Sequence, residues 1–372
     1  PEKGDASDWL WPHENDEGEW EAKYGAGISL NDCDGATVRR CLVRNGQNGV
    51  LLTRCTKSFV YDNDFSFNSG WGIALYRTTH SQVSHNRCDF CVRGYSHGVY
   101  YRGQDSAGIL AFEQCSHNVF VRNSATHSGD GFFLYAGHET TQRTGKGGCN
   151  HNRVFGNDFR FAVANGIEAT FSEGNVFEQN DCSGADHGIW AGYSYDSEFR
   201  FNRIHDCMTA GISVEHGHDN LYLSNDVRGA RYGLHLWWDE DKQFLESIYG
   251  REQDCSSSKN AIHWNNLQGE VAALRLDGDV GSKLTFNHLP AKHTRIQLLG
   301  DTKIDRMERN AFLGDLTVEN RTGRAMALPL ARGVRGHFTA EGDPVEVLEG
   351  RPPTPINPIP PHDAPEVRGT LD

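Results

Sequence analysis

Four residues able to move protons or present a flat aromatic ring stand at matched distances behind a recurring glycine. Glu168, Trp190 and His235 follow that glycine by two positions, and Glu215 follows it by four. Two carboxyls on one surface form an acid/base pair. An aromatic wall beside a carboxyl raises its pKa by desolvation, which suits a general acid. His235, one repeat from Glu215, is placed to orient or shift it. Asp130 and His187 each immediately precede their glycine and edge the same surface.

The glycine that sets this frame is followed by an apolar residue at Gly27, Gly49, Gly72, Gly108, Gly131, Gly166, Gly188, Gly211 and Gly233, with a degenerate copy at Ala261-Ile262. Most intervals are 22 or 23 residues, and two longer ones hold insertions within 77–107 and 136–152. A second column, Asn63, Asn86, Asn123, Asn157, Asn180, Asn202 and Asn225, keeps the same step. A coil of this length holds two or three short strands and cannot bury a face alone. Stacked coils can, pairing in parallel about 4.8 Å apart. Asparagine tolerates left-handed turns and bonds the next coil's amide, while the glycines supply a corner. The expected fold is all-β: a right-handed, single-stranded parallel β-helix of roughly ten coils with a repeat of about 22 residues. The expected divisions are a cap over 1–24, the β-helix over 25–266, irregular final coils or a β cap over 267–351, and a Pro-rich tail over 352–372.

On these residues the chain resembles the parallel β-helix repeat families of carbohydrate-active enzymes, among them pectate lyases, polygalacturonases and alginate epimerases. The resemblance implies the fold and a glycan substrate, but it supplies no catalytic motif. Glu215-His216-Gly217-His218 has the wrong order for polygalacturonase chemistry, and no Asp-rich calcium cluster with an adjacent Arg is present.

Strand alternation then sorts the residues. Positions +1 and +3 after each glycine point inward, and +2 and +4 point outward. The outward columns hold Tyr76, Tyr135, Glu168, Trp190, Glu215, His235 and Trp237, with no lysine, unlike a face that need only be soluble. Pyranose rings stack on aromatic side chains, and carboxylates accept their hydroxyls. Two coils along the axis and two residues across put the Glu168 and Glu215 backbones about 12 Å apart. Side chains leaning together approach the ~6.5–9.5 Å of an inverting glycosidase. Tyr193, Trp238, Asp239 and His216 border the surface; His216 and His218 alone are a weak metal signal. The first insertion brings Tyr95, His97 and Arg102 over the face, with Arg77 beside it, and the second (138–148) forms a wall or lid. Trp9, Trp11 and Trp20 belong to the cap.

The leading expectation is a glycoside hydrolase, with Glu168 and Glu215 as the pair and His235 and Asp130 in support. A polysaccharide lyase or C5-epimerase would instead use Tyr95 or a histidine as base and Arg77, Arg93 or Arg102 against a uronate. A non-catalytic glycan binder is the third. No cofactor or metal is expected. The net charge of −14, from 36 Lys+Arg against 50 Asp+Glu, argues against nucleic acid as a partner. No apolar run reaches the ~18 residues of a membrane span. The ten cysteines lack a paired metal spacing and read as packing residues. The fold class implies a secreted or periplasmic protein, although no signal peptide is visible.

Overall fold

The computed structural model describes residues 24–94, 105–331 and 337–350. Tyr95, His97, Arg102, the tryptophans of the expected cap and the Pro-rich tail lie outside the described residues.

Thirteen parallel strands form one long sheet, from Ile28–Asn31 to Phe338–Gly342. A second sheet of eleven parallel strands runs beside it, from Thr37–Arg39 to Lys303–Glu308. Each of the first eleven turns adds one strand to both, which is the expected parallel β-helix with three more coils than the sequence pattern displays. The inward pairs Ile167/Ala169, Ile189/Ala191, Ile212/Val214 and Leu234/Leu236 are fully buried in one continuous core, as alternation requires. Cys88 and Cys182 belong to that core, and all ten cysteines are free.

The asparagine column is a hydrogen-bonded ladder. Asn180 Nδ2 donates to Asn202 Oδ1 at 3.2 Å and to the Val154 carbonyl at 2.9 Å, while Asn180 Oδ1 accepts from Asn157 Nδ2 at 2.9 Å. These bonds satisfy corner amides that would otherwise be buried without partners. The ladder does not stop at 266. Asn225 passes it to Asn265, then to Asn287 and Asn310. The long-sheet strands from Asn266–Asp277 to Phe338–Gly342 are therefore further coils of the same helix.

The glycines do not act as corners. The turn after many of the long strands is made by left-handed non-glycine residues, such as Arg77, Phe171, Tyr193 and His216, with φ between 48° and 56°, and glycines outside the repeat column, Gly278 and Gly300, take that place in later coils. Instead, a Cβ on Gly188 would overlap the Ile204 side chain and stand 2.7 Å from the Gly211 carbonyl oxygen. A Cβ on Gly211 would meet Val227 and the Gly233 carbonyl in the same way. Position 0 thus faces inward along with +1. The step at glycine breaks strict alternation and turns position −1 outward.

Two further departures shape the outer surface. The apparent tenth copy, Ala261-Ile262, lies in the second sheet, where Leu223 pairs with His263. The long-sheet partner of His235 is Arg275, because a third insertion (238–260) separates the two coils. That insertion carries the short helices Lys242–Leu245 and Ile248–Glu252 and packs Phe244 and Tyr249 on Tyr193 and Tyr195. It also ties down the second expected insertion, since Gln253 Nε2 donates to the Gly145 carbonyl at 2.9 Å. Glu139–Thr144 is a single π-helical turn, with Thr140 bonded to Glu113 at 2.8 Å and Glu139 ion-paired to Arg77. This segment is a fixed wall.

Candidate active site

Register places three columns on the outward face of the long sheet. Glu168, Trp190, Ser213, His235 and Arg275 are successive partners in one column. Asn165, His187, Ala210 and Tyr232 form the −1 column beside it, and Glu215 and Trp237 are partners in the +4 column. Small Ser213 and Ala210 stand between Trp190/His187 on one side and His235/Tyr232 on the other. The short side chains leave a shallow groove line there, its floor closed between the taller neighbours, with Ser213 and Ala210 each 1% exposed.

At one end of the groove, acids gather. Asp130 is buried and accepts the Asn165 backbone N–H at 2.8 Å, and Glu168 accepts the Asn165 side-chain amide at 2.9 Å. Burial pushes Asp130 up to about 8, with the Asp105 charge adding to the rise and the Asn165 N–H opposing it. Glu168 is held well above the carboxylate range by burial first, then by the charges of Asp130 and Asp105. Three carboxyls in a dehydrated space cannot all ionise, so the cluster retains protons near neutrality.

At the other end, the groove floor has unsatisfied polar atoms. Ser213 Oγ and His235 Nε2 are buried without a hydrogen-bond partner. Burial, then the Arg275 and His187 charges, lower His235 to about 3, so its ring is neutral. It stacks on Trp237 at 4.4 Å and meets Tyr232 at 5.5 Å. Arg275 lies over the Tyr232 ring at 5.4 Å, reaches its hydroxyl at 3.4 Å and bonds Asp277 at 3.3 Å. Orphaned polar atoms are rare in a protein interior, which sets Ser213 Oγ and His235 Nε2 apart.

The structure divides the expected carboxyl pair between two neighbourhoods. The charges acting on Glu168 are those of Asp130 and Asp105; those acting on Glu215 are Asp239, His216 and Asp241. Burial raises Glu215 too, against a hydrogen bond from Trp237. Tyr76, expected as a sugar platform, is fully buried against Phe112 and offers no face. Arg77 bonds the Tyr76 hydroxyl at 3.0 Å and is engaged by Glu139. Tyr135 packs among Phe112, Phe133 and Phe171, which leaves it structural. Tyr193 is buried, and its hydroxyl donates to Asp241 at 3.1 Å. His216 is buried; Asp239 and Trp238 are exposed on the flank. His187 borders the groove, with burial lowering its pKa.

Sequence reasoning passed over Asn165, Ser213, Tyr232, Asp105 and Arg275. The glycine step explains Asn165 and Tyr232, since strict alternation sends position −1 inward. Their place immediately before a glycine, shared with Asp130 and His187, was the available signal. Arg275 was hidden by the third insertion.

A family model described as a right handed beta helix region matches residues 107–248, and one described as periplasmic copper-binding protein (NosD) matches residues 15–160. Among solved structures, the Dettilon tailspike protein (gp208) is 13% identical with a TM-score of 0.47, over 82% of this chain and 62% of that one. This chain thus spans less than two thirds of the tailspike's length. The Azotobacter vinelandii mannuronan C-5 epimerase AlgE4 A-module is 12% identical with a TM-score of 0.43, over 90% of this chain and 92% of that one. The catalytic unit of a GH87 α-1,3-glucanase from Streptomyces thermodiastaticus is 12% identical with a TM-score of 0.38, over 87% and 50%. These are likenesses of fold. No curated protein matches the chain.

Proposed function

Taking the chain as the right-handed parallel β-helix it is, we propose that the groove on its long sheet binds a glycan and hydrolyses a glycosidic bond. The observation that carries this reading is the Asp105/Asp130/Glu168 cluster at one end of an aromatic groove, where burial first and then neighbouring carboxylates raise Asp130 to about 8 and Glu168 well above the carboxylate range. Glu168, more open than Asp130, is the general acid and delivers its proton to the leaving glycosidic oxygen. Asp130 ionises first of the two, because the Asn165 N–H stabilises its carboxylate, and as base it accepts a proton from the attacking water. Trp190 and Trp237 supply ring faces for the sugar, and Ser213 and His235 bond its hydroxyls. The net charge of −14 favours a neutral or weakly charged glycan. The matched periplasmic family supports a location outside the cytoplasm. No helix among the described residues is long and apolar enough to cross a membrane.

The test is a panel of glycans incubated with wild type, Glu168→Gln and Asp130→Asn, scored for new reducing ends. Wild type generates them, both variants lose turnover, and both still bind. Full turnover in both variants removes the assignment.

One observation favours a second reading, lyase or C5-epimerase action on a uronate. Arg275, Tyr232 and neutral His235 stand together, so Arg275 would neutralise the uronate carboxylate while His235 takes the α-proton. A lyase product carries a new ultraviolet-absorbing double bond; an epimerase inverts C5 without chain cleavage.

A further inference from the structure

Beyond the groove, the +4 column leads to a separate group of donors, and we propose that Glu215, His216 and Asp239 bind a divalent transition-metal ion of the zinc class. One donor atom from each residue lies within 4.8 Å of the others. The fold produces this grouping. Glu215 ends its strand on the outward face, and His216 takes the left-handed corner that follows, with φ 50°. Asp239 is returned to that corner by the next coil, where Glu215 pairs with Trp237.

The hydrogen bonding of His216 gives the site its sense. The ring is fully buried, and Nδ1 lies 2.8 Å from the Cys255 carbonyl oxygen. A carbonyl only accepts, so Nδ1 carries a proton, and Nε2 is the ring atom turned toward Asp239. Nε2 lies 3.2 Å from a carboxylate oxygen of Asp239 and 3.4 Å from the Asp239 backbone N–H, which donates to it. A cation between Nε2 and the carboxylate, either a proton or a metal ion, makes that separation favourable. A metal-bound histidine has this arrangement, its second nitrogen fixed by a backbone carbonyl. The cradle is rigid, for His216 sits between the Tyr193 ring at 4.9 Å and the Trp238 ring at 5.9 Å. Asp241 is already occupied by the Tyr193 hydroxyl and the Phe244 amide, which leaves three protein donors and open positions for water or a ligand oxygen. One imidazole with two carboxylates suits zinc or manganese; calcium prefers six to eight oxygens.

The test uses the full chain, chelated and dialysed, titrated with Zn²⁺, Mn²⁺ and Ca²⁺ by calorimetry and by tryptophan fluorescence, which Trp237 and Trp238 report. The expected result is one equivalent of Zn²⁺, with Ca²⁺ far weaker. Asp239→Asn and Glu215→Gln should each weaken Zn²⁺ at least ~10-fold, the loss usual even for a residue that only supports a ligand. The Asp239 side chain is 56% exposed, so its variant retains the fold. His117→Ala, in the surface histidine ladder with His80 and His151, should leave the affinity unchanged. The proposal is overturned if no stoichiometric Zn²⁺ binds, as when a proton on Nε2 is the sole bridge. It is also overturned if binding survives both carboxyl variants, or if it disappears with His117→Ala.

Discussion

Asn165 holds Glu168 by its side-chain amide at 2.9 Å, and its own backbone N–H is given to Asp130. One residue therefore spans the acid that keeps its proton and the acid that releases it first. Both bonds arise because the glycine step turns position −1 to the outside of the sheet, next to position +2.

Asn165→Ala should keep the backbone bond to Asp130 and remove the side-chain amide that supports Glu168. The Glu168 carboxylate loses a stabilising donor, so the alkaline limb of the activity profile moves to higher pH while kcat falls roughly tenfold. A pH–rate profile of the variant on a cleaved glycan checks this; an unshifted limb would contradict it.

Stability should fall between pH 6.5 and pH 8. Asp130, raised to about 8 in the folded chain, contributes stability that is fully present below its unfolded value near 4 and lost as pH rises toward 8. His235, lowered to about 3, contributes stability present above about 6.5 and lost as pH falls toward 3. The two oppose each other from about pH 4 to 6.5, leaving Asp130 and Glu168 to act above it. Urea unfolding at pH 6.5 and 8 should show the decline, and Asp130→Asn should flatten it. An equally steep decline in the variant would count against the assignment.

Gly211→Ala should destabilise the helix by about 3 kcal/mol, the upper end of overpacking costs, because its Cβ meets Val227 and the Gly233 carbonyl. Thermal melts compare it with Gly323→Ala, where φ is +72° but no atom lies within 4 Å. The first should lose more.

Asn180→Ala should cost about 3 kcal/mol or more. It removes the partner of the Asn157 backbone N–H, one of the two acceptors of the Asn157 side-chain amide and a donor to the Val154 carbonyl inside the coil stack. Chemical denaturation measures the loss; a change within the ~0.5 kcal/mol of a surface substitution would mean the ladder is dispensable.

The solenoid was legible because its two strongest constraints are local and periodic. Inward pairs such as Ile189/Ala191 must fill the core, and corner asparagines such as Asn180 must bond the coils above and below. The site was legible only in part. Glu168, Trp190 and His235 share the expected column, yet Asn165 and Tyr232 were lost to a backbone step that a two-residue alternation does not represent. Arg275 was lost because the insertion over 238–260 lets Ala261-Ile262 imitate the next copy. Pairing Glu168 with Glu215 came from counting rises along the axis. The environments that set their protonation depend on Asp105, folded back ahead of Gly108, and on Asp239, beyond the coil's end.

The most direct measurement is the reducing-end yield of wild type and Glu168→Gln on the glycan that wild type cleaves, with binding of each followed in parallel. The account predicts sugar release by wild type and at least ~100-fold less by the variant, with affinity nearly unchanged. Equal release by the two proteins would contradict it.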